Sequence, residues 1–146
     1  MSVMESGVIR IDELSLPAEP ARVGEARRHV ASIVRAWRLD VDVDTAVLLT
    51  SEVFTNAIVH AAAPGEVIRL VEAWDGARFR IEVHDSRSGA LEPESKWEWD
   101  DRTLDSMAGE SGRGLGIVEL LADSWGVEKS DMGKLVYFTL GISTSP

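Results

Sequence analysis

The run Asp44-Thr45-Ala46-Val47-Leu48-Leu49-Thr50-Ser51-Glu52-Val53-Phe54-Thr55-Asn56-Ala57-Ile58-Val59-His60 decides how the rest of the chain is read. Its middle is apolar enough for a core helix. Yet Glu52, Asn56 and His60 recur at every fourth position, which puts all three on one helical face. Leu49 and Val53 border that stripe, while Ala46, Val47, Phe54, Ala57, Ile58 and Ala61 cover most of the remaining surface. A buried carboxylate or carboxamide left without a partner costs about 1–3 kcal/mol. The stripe therefore calls for protein, water, or a ligand carrying a metal.

Working outward, 146 residues with 45% hydrophobic and 27% charged side chains form one domain of common size, not a disordered segment. The net charge of −10 offers no basic footprint for duplex DNA or RNA. A phosphate ligand stays open if backbone N–H groups and a cation neutralise it. The absence of cysteine excludes disulfides and every Cys-based zinc or nucleophile site. No run reaches membrane-spanning length and Met1–Arg10 has no apolar signal core, so no membrane partner is expected and the cytoplasm is the expected location.

Before the central helix, residues 1–7 are expected to be flexible. Val8–Leu14 partly alternates and predicts an edge strand, punctuated by Pro17 and Pro20. Glu19-Pro20 opens an amphipathic helix running to Trp37. Its Arg22, Arg27, Arg28, Arg35 and Arg38 read as a solvated face, with a docking surface for an acidic partner as the alternative. Asp42 or Asp44 can cap the central helix, which Pro64-Gly65 ends.

After it come strands 66–74 and 78–85, joined by Asp75-Gly76-Ala77 as a hairpin turn. In the second, Phe79, Ile81 and Val83 face one way and Arg78, Arg80, Glu82 and His84 the other. Residues 86–111 lack periodicity; a loop this long is functional, or else a disordered insertion, and Trp97 and Trp99 argue for partial docking. Ser111–Asp123 then runs from alternating glycines into an apolar helix, and 127–130 and 134–141 close the chain as strands turning at Asp131–Gly133. The expected fold is an α/β (α+β) two-layer sandwich, a mixed and mostly antiparallel sheet covered on one face by about three helices. The domain is expected to span 8–141, with 142–146 as a tail.

Gly112-Arg113-Gly114-Leu115-Gly116 at a helix start suits phosphate, since glycine admits close approach and the helix end presents free N–H groups. It is neither a Rossmann fingerprint nor a Walker loop, and plain turn chemistry remains the alternative. Asp85, at a strand end before Ser86-Arg87-Ser88-Gly89, is either an acceptor for an exocyclic amine or a turn acid. His60, at the helix C-terminal end, fits a capping or core role better than catalysis.

Together, Glu52-x-x-x-Asn56-Ala57-x-x-His60, Asp85-x-x-x-Gly89 and Gly112-x-Gly114-x-Gly116 resemble the N, G1 and G2 boxes of the Bergerat-fold (GHKL) ATPases. Within that group the chain is similar to the bacterial anti-sigma-factor serine/threonine kinases. The resemblance covers about residues 8 to 141, and the order of the three boxes is more specific than any one of them. It implies ATP and Mg²⁺ as cofactors. Asn56 would coordinate the metal, and Glu52 would be the general base for a serine hydroxyl of a protein substrate. Asp85 would hold the adenine amine and Gly89 would let the backbone approach the base. Gly112, Gly114 and Gly116, with Arg113 and Leu115 among them, would wrap the phosphates, and residues 86–111 would form the ATP lid. A sigma factor, an antagonist protein, or both would be the partners, and related kinases commonly form homodimers.

Two positions depart from the family pattern. Arg87 stands where the first glycine box usually has glycine, and Lys134 and Leu135 follow Gly133 where a hydroxyl residue is frequent. The lid segment is acidic, which beside a triphosphate requires Mg²⁺ or Arg102 and Arg113 as an offset. These departures define the alternative function, a catalytically weak or inactive module of the same fold that sequesters a protein partner.

Overall fold

The computed structural model describes residues 9–60, 65–85, 113–131 and 133–142. The segment expected to be flexible at 1–7, the lid at 86–111 and all but Ile142 of the tail lie outside the described residues. Five strands form one sheet: β1 (Arg10–Pro17), β2 (Val67–Trp74), β3 (Arg78–Asp85), β4 (Ser124–Lys129) and β5 (Lys134–Gly141). Their order is β1-β2-β3-β5-β4, and all four pairings are antiparallel. Among the described residues three helices, α1 (Val23–Ala36), α2 (Val43–His60) and α3 (Arg113–Leu121), pack on the sheet in the two-layer sandwich expected from the sequence.

Strand parity builds the core. Leu16, Ile68, Leu70, Phe79, Ile81, Val83, Phe138 and Leu140 share one face and pack with Ala26, Val30, Ile33 and Val34 of α1 and Ala46, Leu49, Val53, Phe54 and Ala57 of α2. The Trp37 ring meets the Phe79 ring edge-on at 6.3 Å, which ties the end of α1 to β3. α2 packs against α1, α3 and β3. The apolar middle read in the sequence is thus a helix buried on three sides.

Two strands are placed differently from the sequence reading. β1 extends three residues beyond Leu14, because Pro17 closes the pairing with Val67 at the sheet edge, where the missing N–H costs nothing. β4 begins at Ser124, not Val127. Trp125 takes inward parity opposite Phe138, and Gly126 is required because the Tyr137 ring lies 2.9 Å from where its Cβ would stand.

The helix ends follow capping chemistry. Pro20 sits in the first position of a short 3-10 turn, Pro20–Arg22, ahead of α1. At the other end Arg38 adopts φ 56°, with its N–H bonded to Arg35 O and that of Leu39 to Val34 O. This is a Schellman closure built on a non-glycine residue. Of the two candidate caps for α2, Asp42 serves. Its carboxylate accepts from Asp44 N at 3.2 Å and from Thr45 Oγ1 at 2.9 Å. In the hairpin, Asp75 Oδ1 accepts from Ala77 N and Arg78 N at 2.8 and 2.7 Å, and Gly76 takes φ 97°.

The polar parity of β3 does not simply face water. Glu82 and His84 are buried on the face away from the helices. His84 Nε2 lies 2.7 Å from Glu82 Oε1, and its Nδ1 lies 2.8 Å from Ser130 Oγ and 3.3 Å from an Arg69 nitrogen. A carboxylate at Nε2 and a guanidinium at Nδ1 fit the tautomer with its proton on Nε2. Arg80 pairs with Glu82 and stacks 3.9 Å over the Tyr137 ring. Burial pushes the Glu82 carboxyl up, but hydrogen bonds from His84 and Arg80 outweigh it and hold the group below its ordinary range.

Candidate functional site

The polar stripe on α2 is resolved unevenly by burial. Asn56 is 6% exposed, and neither its Oδ1 nor its Nδ2 has a hydrogen-bond partner among the described residues. Glu52, one turn earlier, is half-buried at the margin of the core. His60 is the last residue of α2, and its side chain lies outside the described residues. Thr50, also fully buried on this helix, returns its hydroxyl to Ala46 O at 2.8 Å. Thr50 is thus satisfied within the helix, whereas the Asn56 carboxamide has no hydrogen-bond partner among the described residues.

Asp85 ends β3 on the helix-facing parity, where its side chain is enclosed at 2% exposure. Its Oδ2 accepts from Lys134 Nζ at 2.8 Å, and Lys134 is itself only 5% exposed. The two residues face one another across the β3–β5 pairing. A buried carboxylate and a buried ammonium each require the other, since either charge alone in this position costs several kcal/mol. The amine acceptor predicted from the sequence is thus already bonded to a cation. Lys134 is the partner of Asp85 that the reading of motifs did not assign. Its signal was available: Val136, Phe138 and Leu140 mark the inward parity of β5, and Lys134 shares it.

The glycine-rich stretch opens α3, which packs against α2. Arg113 and Gly114 lie in its first turn, the part of a helix whose N–H groups have no intrahelical acceptor. Gly116 is exposed and a Cβ there would meet nothing within 4 Å, so close approach by the protein itself does not explain this glycine. Gly112, Gly89 and Arg87 lie outside the described residues, as do the side chains of Arg113 and Leu115. The structure thus brings together the elements that carry Glu52, Asn56, Asp85 and Gly116. No helix among the described residues is long and apolar enough to cross a membrane.

The fold has counterparts among known proteins. A family model described as the histidine kinase-like ATPase domain matches residues 16–140. The solved catalytic domain of the histidine kinase ThkA is similar in fold, with 14% identity, coverage of 90% of this chain and 97% of that one, and a TM-score of 0.51. The histidine kinase domain of the blue-light-activated histidine kinase from Erythrobacter litoralis EL346 aligns at 23% identity over 87% of this chain, with a TM-score of 0.49. This chain spans 62% of that domain's length. No curated protein matches the chain.

Proposed function

Because the chain belongs to the histidine kinase-like ATPase domain family, we propose that it binds ATP with Mg²⁺ and acts as a regulatory protein serine/threonine kinase of the anti-sigma-factor type. Its substrate would be a small antagonist protein in a cytoplasmic partner-switching pathway, in which phosphorylation decides whether sigma factor or antagonist is held. One observation carries the reading: Asn56 is a buried carboxamide without a hydrogen-bond partner among the described residues, one helical turn beyond a half-buried carboxylate. A carboxamide oxygen is a suitable ligand for a hard divalent cation, which binds proteins through few groups and completes its shell with phosphates and water.

Bound Mg²⁺ supplies neutralisation of the charge on the triphosphate. The chain's own residues do the rest. Asn56 fixes the position of the cation. Glu52 accepts the proton of the incoming serine hydroxyl, from the same helix face. The main-chain N–H groups at the start of α3, with Gly112 to Gly116, hold phosphate oxygens at the positive end of the helix dipole. At the base subsite an adenine amine donates to Asp85 while Lys134 donates to a ring nitrogen. The test is incubation with labelled ATP, Mg²⁺ and candidate antagonist proteins, with Glu52→Ala alongside. Transfer to a serine of one antagonist, lost in the variant, supports the reading; no transfer to any partner counts against it.

A second reading is favoured by the Asp85–Lys134 pair. If the ammonium keeps the carboxylate from adenine, the fold serves as a module that sequesters its partner without chemistry. Calorimetry with ATP and Mg²⁺ separates the two, since absence of heat together with partner binding favours the second.

A further inference from the structure

Away from the nucleotide face, Asp12 of β1, His29 of α1 and Glu72 of β2 meet on the helix-facing side of the sheet. Asp12 and Glu72 are cross-strand partners, and His29 reaches both. His29 Nε2 lies 3.2 Å from Glu72 Oε1 and 3.4 Å from Asp12 Oδ2. One ligating atom from each of the three residues falls within 4.8 Å of the others. Glu72 has no exposed surface, and its Oε2 has no hydrogen-bond partner among the described residues.

We propose that Asp12, His29 and Glu72 bind a divalent transition metal of the Zn²⁺ class. The spacing of the three ligand atoms, all within 4.8 Å of one another, admits a four-coordinate ion. Bonds of about 2.0–2.2 Å at tetrahedral angles separate neighbouring ligand atoms by about 3.3–3.6 Å. The 3.4 Å contact of His29 Nε2 with Asp12 falls in that range and its 3.2 Å contact with Glu72 lies just below it. The donor set selects the metal, since one imidazole with two carboxylates suits Zn²⁺ and its neighbours, whereas Mg²⁺ and Ca²⁺ prefer oxygen alone. Burial makes the same demand. His29 meets only one oxygen of a carboxylate that is wholly enclosed, and a dication offers both oxygens a partner. The Asp12 side chain is 45% exposed, so an ion has a route in and water has access to a fourth position.

The site is separate from the nucleotide face. Glu72 stands four residues along β2 from Ile68, the register partner of Asp85, which is about 13 Å at the usual strand rise. A metal there would pin the edge strand β1 and the helix α1 to the interior of the sheet.

Titration of the metal-free chain with ZnCl₂, followed by calorimetry and by thermal unfolding, tests this. The expected result is a single saturable Zn²⁺ per chain and a melting temperature that rises with free Zn²⁺, with no response to MgCl₂ in the absence of nucleotide. His29→Gln and Asp12→Asn should each weaken binding by more than about 100-fold, the upper end of what loss of a supporting partner costs. Asp12→Asn is isosteric and lies on a partly exposed edge strand, and circular dichroism verifies that it folds. No saturable binding would overturn the proposal. So would Zn²⁺ affinity unchanged in both variants, which would place the ion at another histidine.

Discussion

Among single residues, Glu52 and Asn56 are distinguished by burial although the sequence gives them equal standing. The half-exposed carboxylate suits proton transfer, and the enclosed carboxamide suits holding an ion. Replacing Glu52 with alanine should therefore lower phosphoryl transfer by about 10²- to 10⁴-fold while leaving ATP affinity within a few-fold. Single-turnover transfer rates and calorimetry read the two quantities separately; an equal loss in both would make Glu52 a binding residue. Asp85 and Lys134 form the other decisive pair. Lys134→Met leaves a buried carboxylate without its ammonium and should cost on the order of 3–5 kcal/mol. Asp85→Asn combined with Lys134→Met should lose less than the two single variants summed, as measured by urea unfolding. The sequence showed both residues and their parity. It did not show that register would set them opposite each other, because pairing across β3 and β5 spans a segment whose length carries no information about alignment.

At the scale of elements, most of the fold was legible because local signals agreed. Glu19-Pro20, Asp42 and Asp75-Gly76 each mark an element boundary by its own chemistry, and the structure uses all three. Boundaries without such a signal were displaced. β1 runs on to Pro17, and β4 starts at Ser124 for the sake of Trp125 and Tyr137, which are partners distant in sequence or across the sheet. Arg38 was read as one of a row of surface arginines, yet it closes α1 in the left-handed region, at a cost of about 1–2 kcal/mol for a side chain there. Arg38→Gly should accordingly raise stability by about 1 kcal/mol, whereas Asp42→Ala should lower it by about the same amount through loss of the cap. Thermal unfolding reads both, and a destabilised Arg38→Gly would contradict the strain argument.

For the whole molecule, the sheet has two unlike faces. One carries the helices and the core. The other buries Glu82 and His84 under Arg69, Arg80 and Tyr137, so that the polar parity of β3 forms a layer in its own right. Because the folded Glu82 carboxyl titrates below its ordinary value, its stabilisation is present above about pH 4.5 and is lost as the pH falls through the lowered value. Glu82→Gln should lower the melting temperature near neutrality and flatten the acid limb of the melting curve against pH. An acid limb unchanged in that variant would show that the layer does not couple to folding. The histidine kinase-like family was legible in the order and spacing of the three boxes. The choice of partner was not, since a docking surface has no local signature in one chain. The proposal of nucleotide binding rests most heavily on Asn56, a buried carboxamide without a hydrogen-bond partner among the described residues. Thermal unfolding of the native chain and of Asn56→Ala, each with and without ATP and Mg²⁺, tests it most directly. The prediction is that ATP with Mg²⁺ raises the melting temperature of the native chain, and that Asn56→Ala is at least as stable alone but gains nothing from the ligand. No shift in the native chain, or an equal shift in Asn56→Ala, would contradict it.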